Sequence, residues 1–455
     1  MNPADSADHT RRLERLVAWA LGPEVLDPDD VAHAVAIVRD TVAAIVGASV
    51  EPEVTGFALS APALGGVGAC TVLATGQGTS ALAAAMANGL AGVRLELDEG
   101  NQFAANHPSA HTLPAVLAVA EEVDATGAEM LAASAAAYEV AVRVARGARL
   151  RPVVHPFGTA MVCGAAVGVA RLRGLDAATT LQALLIAAAL VPASTQRAAN
   201  TGATVRNAIT GVCASTGVLA VELARTGTQG DPWVLPTVFG EILGESYDGG
   251  WLDGDLGDRR YMPSNYFKLH ACSRWNHAPI EAVETLLERN GFTAGDVESV
   301  EVATYDPATR LDGREVATGF AGKHSIPYSV AVRILRRDNG IEAYSEAAAG
   351  DPALRELTAR VSVVEDRALT AAAPEVRAAR VTVRLSDGRT LVATEDRAPG
   401  GYDRPYPADV IEAKHRALLR RALTDAAAAR VLAWCDDLPG AASARGLHDL
   451  VGARR

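Results

Sequence analysis

Residues 159–190 read TAMVCGAAVGVARLRGLDAATTLQALLIAAAL, and this stretch decides the fold class. Small and branched apolar residues fill it except at 171–176, where two arginines, Gly174 and Asp176 interrupt. Glycine favours the position just past a helix end, and aspartate accepts hydrogen bonds from the first turn of the next helix. The segment therefore predicts two helices, 159–173 and 177–190, joined by a tight corner. Gly164 and Gly168 stand one turn apart on the first, a spacing that lets another helix approach closely. The longest strongly apolar run, 183–191 ahead of Pro192, is too short to cross a bilayer.

Helical texture extends in both directions. Between 29 and 48 apolar residues recur at helical spacing (Val31, Ala34, Ile37, Val38, Val42, Ile45) behind an Asp-Asp start. Further helices are expected at 80–90, 114–123, 128–145 and 211–226, in a region rich in alanine, the best helix former. After residue 240 the pattern changes. Gly249, Gly250, Gly254 and Gly257, interleaved with aspartates, make a loop-rich connection. Beyond it 297–305 and 381–385 alternate as strands, and Asp387-Gly388 turns the second into 390–394 as a hairpin. Helices are expected between them at 280–290, 329–336 and 351–360. The fold class is thus mainly α with an α+β insertion: a large all-helical domain (1–267), a smaller α/β lid (268–405), and C-terminal helices (406–455) that return to the helical body.

With 455 residues, 49% of them hydrophobic, the chain is long enough for a large core and two or three domains. Its formal charge of −12 disfavours nucleic acid and anionic membranes as partners. A small anionic substrate is still compatible, because a few cations in a closed pocket outweigh a diffuse, screened surface charge. The five cysteines (Cys70, Cys163, Cys213, Cys272, Cys435) are widely spaced, with no CxxC pair. They imply neither a disulfide framework nor a zinc knuckle, and point to a reducing, cytoplasmic setting. Charges at 5–15 without an apolar core are unlike a signal peptide.

The candidate chemistry centres on histidines that directly precede proline. In Asn106-His107-Pro108-Ser109 and Val154-His155-Pro156-Phe157 the proline holds the histidine extended and suits the first position of a helix. A positive helix end favours the neutral ring, which can take or give a proton near pH 7. Each histidine either caps its helix or moves protons. Glu96-Leu97-Asp98-Glu99-Gly100 puts three carboxylates within four residues, to position a base or substrate or simply to face solvent. Lys268, with His270, Arg274 and His277 behind it, lies where the helical body meets the lid, a place suited to carboxylate binding. Arg206 offers a bidentate clamp. Tyr328, in Ser325-Ile326-Pro327-Tyr328, either donates from a helix's first turn or anchors that helix. No GxGxxG, GxxxxGK[ST] or GxSxG pattern and no metal-ligand spacing is present, so no cofactor or metal is expected.

In this order and spacing the residues resemble the MmgE/PrpD family, which includes 2-methylcitrate dehydratases, cis-aconitate decarboxylases and an iminodisuccinate epimerase. Residues 83–91 (AAAMANGLA) resemble its AAxANGxxA stretch, 96–100 its DFDDT-like loop, and His107-Pro108-Ser109 its HPS. His155-Pro156 with Gly164-Ala165-Ala166 and Gly174-Leu175-Asp176, then Lys268 with His277, then 325–328 (SIPY) follow in family order. The resemblance implies a homodimer with its active site between the helical body and the lid. It also implies catalytic or substrate-binding roles for His107, His155, Lys268 and Tyr328. The chain departs from the pattern where Gly100 replaces a threonine, Arg206 a lysine, Val93 a histidine and Phe157 a threonine. The expected activity is a cofactor-independent lyase removing water from a hydroxy di- or tricarboxylate. His107 or His155 would serve as base, with Tyr328 or the other histidine as acid. Lys268, Arg206, Glu96, Asp98 and His277 would bind substrate. Decarboxylation or epimerisation of a related acid is the alternative, and a silent metabolite-binding paralogue the alternative from another class.

Overall fold

A computed structural model describes residues 3–452. Its helical body is organised around Met161–Leu172, which packs against Gly127–Gly147, Pro108–Val123, Ala177–Ala189 and Val205–Arg225. The corner at 173–176 forms as its residues dictate. Gly174 takes a positive φ of 64°, and the Asp176 carboxylate accepts from the Thr179 amide at 2.7 Å. The Gly164 spacing also has its predicted effect. A Cβ there would lie 2.1 Å from the Ala137 carbonyl oxygen of the neighbouring helix. Gly164→Ala is therefore expected to destabilise the protein by about 1–3 kcal/mol, read from its urea midpoint. A second close crossing brings Gly89 of Ala81–Gly92 against Gly211 of Val205–Arg225.

Val205–Arg225 begins six residues before its expected start, and two helices, Pro3–Leu21 and Pro52–Gly65, were not expected at all. Residues 28–48 and 205–225 are apolar and long enough to span a bilayer by length and composition, yet most of each is buried inside the protein. The C-terminal helix Ala408–Arg420 packs on Val31–Ala48, where Lys414 Nζ and His415 Nε2 both meet the buried Asp40 carboxylate. The return of the tail to the helical body thus has a specific polar lock.

The C-terminal part holds a four-stranded sheet in the order Val361–Glu365, Val297–Thr304, Ala379–Leu385, Thr390–Glu395. The hairpin at Asp387-Gly388 is present, with Gly388 at φ 88°. The first pair is parallel, and its edge strand Val361–Glu365 is an addition to the expected elements. His277–Asn290 and Ile326–Arg336 pack together and cover the sheet. A two-residue ladder, Gly100–Asn101 against Asn265–Tyr266, ties the acidic segment 96–100 to the segment that delivers Lys268.

Candidate active site

The segment 96–100 is buried, not solvated: Glu96, Asp98 and Glu99 are each 1% exposed or less. Glu96 adopts a left-handed φ of 58°, a conformation that costs a non-glycine residue about 1–2 kcal/mol. That turn sends its carboxylate to Arg206 Nη1 and to Lys268 Nζ at 3.2 Å. Asp98 receives Lys268 Nζ at 3.2 Å on one oxygen and His107 Nδ1 at 2.6 Å on the other. Burial alone would raise both carboxyl pKa values. Arg206 and Lys268 outweigh it at Glu96, and His107 and Lys268 at Asp98, so both are held as anions well below their ordinary range. For Lys268 burial opposes the charge, but Asp98 and Glu96 keep the ammonium on.

His107 sits at the N-cap of Pro108–Val123, but its side chain makes no cap bond. Its Nδ1 faces the Asp98 carboxylate and, at 2.8 Å, the Glu99 carbonyl. Both are acceptors, so Nδ1 carries a proton, and in the neutral ring Nε2 presents the lone pair. His155 is the reverse. It lies in the short strand Val154–His155, six residues before the helix at Met161, so the expected helix-mouth placement is corrected. Its Nδ1 accepts from the Phe157 amide at 3.2 Å, which puts the proton on Nε2. Burial, reinforced by Arg206, pulls its pKa well below the ordinary histidine value. His155 is therefore a neutral N–H donor.

These two rings line a cavity of about 50 Å³ together with Glu96, Arg206, Tyr266, Arg274, His324 and Arg377. Phe157 forms one wall: the Arg206 guanidinium stacks on it at 3.7 Å, and the rings of His107 and His155 lie 5.1 and 4.7 Å away. Phe157 also joins Val93 and Ala110 in a small apolar cluster of their own. Two departures from the family pattern, at 93 and 157, are thus one apolar patch in space.

Four expected site residues stand outside the lining of this cavity, one of them Asp98, which meets it only through His107. Tyr328 donates to the Ala343 carbonyl at 2.9 Å and stacks near Tyr344, as a helix anchor does. His277 accepts from Arg274 at 3.3 Å and so supports a cavity arginine without facing the cavity itself. Lys268 is fully buried behind the carboxylates. In their place the structure contributes His324 and Arg377. His324 Nδ1 meets the Phe320 carbonyl at 3.2 Å, one helical turn back, leaving Nε2 unpartnered and 3.8 Å from Glu96. Arg377 donates to the Gln102 carbonyl. Among the described residues no cluster of three or more His, Cys, Asp or Glu side chains is placed to hold a metal ion.

Behind His107, Glu99 receives the hydroxyls of Ser109 and Tyr138, the latter at 2.6 Å. Burial raises its pKa to about 7 despite these bonds, from an ordinary value of 4.5. Between those values the folded protein holds a proton that the unfolded chain has released, so this group makes stability fall as pH rises from about 4.5 to about 7. Glu99→Gln should flatten that part of the profile in urea titrations at stepped pH. An unaltered slope would assign the effect elsewhere, first to Glu139, whose buried carboxyl is raised in the same way.

Residues 14–241 match the MmgE/PrpD N-terminal domain and residues 270–438 the MmgE/PrpD C-terminal domain. The chain belongs to the MmgE/PrpD family. Among its relatives is a cis-aconitate decarboxylase of Aspergillus terreus, 24% identical over 383 residues and covering 77% of each chain. The human cis-aconitate decarboxylase is 23% identical over 360 residues, covering 73% of this chain and 72% of its own. A cis-aconitate decarboxylase-like protein of Aspergillus oryzae is 26% identical over 389 residues, covering 77% and 78%. Membership of the MmgE/PrpD family with these relatives supports a lyase-type function.

Proposed function

We propose that this protein is a cofactor-independent lyase that removes water from a small hydroxy di- or tricarboxylate. One observation carries the reading: a single cavity holds one imidazole with a free lone pair, one with a free N–H, and three arginines. Two of those arginines, Arg274 and Arg377, bond backbone carbonyls and are not neutralised by a carboxylate in those contacts. They suit the carboxylates of the substrate and the enolate-like charge that grows beside one of them. His107 Nε2 takes the proton from the carbon next to that carboxylate, and Asp98 stabilises the imidazolium. The neutral His155 polarises the departing hydroxyl by hydrogen bonding. Its low pKa leaves the ring unprotonated, with no acidic proton to give up, so the proton that completes the water comes from the His107 imidazolium. Carbon–hydrogen and carbon–oxygen bonds break, an alkene forms, and His107 returns to its neutral state.

The names of the relatives favour a second reading, decarboxylation, in which His107, first protonated from solvent, gives that proton to the carbon that carbon dioxide leaves. The apolar patch of Val93 and Phe157 favours a substrate with an apolar edge at that wall. The test is to incubate the protein with citrate, 2-methylcitrate, malate and cis-aconitate while following ultraviolet absorbance and gas release. New absorbance from a hydroxy acid without gas supports dehydration. Gas from cis-aconitate establishes the second reading, and binding without any product leaves a silent paralogue. Turnover should survive EDTA. A homodimer and a cytoplasmic setting belong to the same proposal; all five cysteines are buried free thiols, as a reducing compartment allows.

A further inference from the structure

The catalytic cavity is narrow, with a volume of about 50 Å³. A second cavity of about 450 Å³ adjoins it, and the two share Ala105, Pro156, Gln196 and Trp275 as walls. This larger space is in the size range of small-molecule sites. Four arginines line it, Arg146, Arg149, Arg151 and Arg310, against two carboxylates, Glu245 and Asp306. On a chain of net charge −12 that is a local reversal of sign.

The arginines differ in how far they are already occupied. Arg149 pairs with Glu245 at 3.1 Å, and Arg310 with Asp306 at 3.2 Å. Arg151 donates to the carbonyls of Gly244 and Glu241. Arg146 differs from all three: its guanidinium lies 3.9 Å from the centre of the Trp251 ring, and its buried Nε and Nη1 have no hydrogen-bond partner. Aromatic stacking holds the guanidinium plane fixed, but leaves its donors unsatisfied, an arrangement that an anion completes.

We propose that this cavity is a receiving site, which captures a small polycarboxylate through Arg146 and its neighbours before the acid passes between Gln196 and Trp275 to the histidines. The proposal rests on the polycarboxylate reading of the catalytic cavity. Capture by several cations at a cleft mouth raises local anion concentration and is weakened by salt.

The probe is tricarballylate, a saturated tricarboxylate that can lose neither water nor an alkene-activated carbon dioxide, titrated calorimetrically at low and high salt. The wild-type protein should bind it, more weakly as salt rises. Arg146→Met combined with Arg310→Gln should weaken binding at least tenfold and flatten the salt dependence. Arg149→Glu, at a side chain 77% exposed where folding tolerates a charge reversal, should weaken binding in the same direction. Arg206→Met, which alters the catalytic cavity alone, should keep salt-sensitive binding. Wild-type affinity in both receiving-site variants, or loss of all binding in Arg206→Met, overturns the receiving site and leaves the catalytic reading standing. If the wild-type protein binds no tricarballylate, and no dehydration or decarboxylation of the four test acids is seen, the polycarboxylate reading falls and the receiving site with it.

Discussion

His107→Gln is expected to lower turnover by about 10²–10⁴-fold while leaving the protein folded. The imidazole Nδ1 is tied to Asp98 at 2.6 Å and to the Glu99 carbonyl at 2.8 Å, so Nε2 is held as a lone pair toward the cavity. Glutamine keeps a polar group at that helix end but has no basic nitrogen. Asp98→Asn should reproduce much of the loss, since an amide cannot stabilise the imidazolium; it leaves the ring in place. His155→Gln should cost less than His107→Gln, because glutamine can still donate a hydrogen bond. Steady-state rates on the first substrate found decide the order. Equal losses at 107 and 155 would mean that both rings transfer protons, and normal turnover in folded His107→Gln would move the base to His324.

Lys268→Met should cost stability, by about 3–5 kcal/mol, with no ligand present. The sequence points to a substrate-binding lysine at a domain junction. The structure buries its ammonium completely between Glu96 and Asp98, whose own remaining partners are Arg206 and His107. Methionine fills the space but leaves two buried carboxylates short of a cation. Urea denaturation of the ligand-free protein separates the roles: a residue that only holds substrate moves the Michaelis constant and not the midpoint. A change below about 1 kcal/mol would return Lys268 to the substrate, in the range of an exposed pair.

What was legible in the chain follows a physical divide. The helices Val31–Ala48, Ala81–Gly92, Gly127–Gly147, Met161–Leu172 and Ala177–Ala189 show in the sequence because their buried stripes and end signals are local, as at Gly174 and Asp176. Pro3–Leu21 does present a stripe (Leu13, Leu16, Val17, Ala20), but only in its second half behind a run of charged residues, and Pro52–Gly65 has Gly56 and Pro62 inside it. Val361–Glu365 is a five-residue edge whose pairing with Val297–Thr304 depends on a chain segment 60 residues away. In the site, His107 and His155 stand out because proline marks them, and Arg206 and Glu96 because few charges interrupt the helical body. His324 is visible as a residue but not as a cavity wall, since only tertiary packing turns its Nε2 inward. Tyr328 fails for the same reason: nothing local says that its hydroxyl is spent on Ala343.

Gly100 stands opposite Tyr266 in the short ladder beside the acidic segment, and a Cβ placed there would come 2.4 Å from the Tyr266 hydroxyl oxygen. The two positions therefore compete for one space. A threonine at 100, the residue of the family pattern, needs the Tyr266 ring to move aside first. The permitted path runs through a smaller residue at 266 that vacates space and a later change at 100 that fills it. An engineer transplanting the specificity of a relative meets the same order of moves.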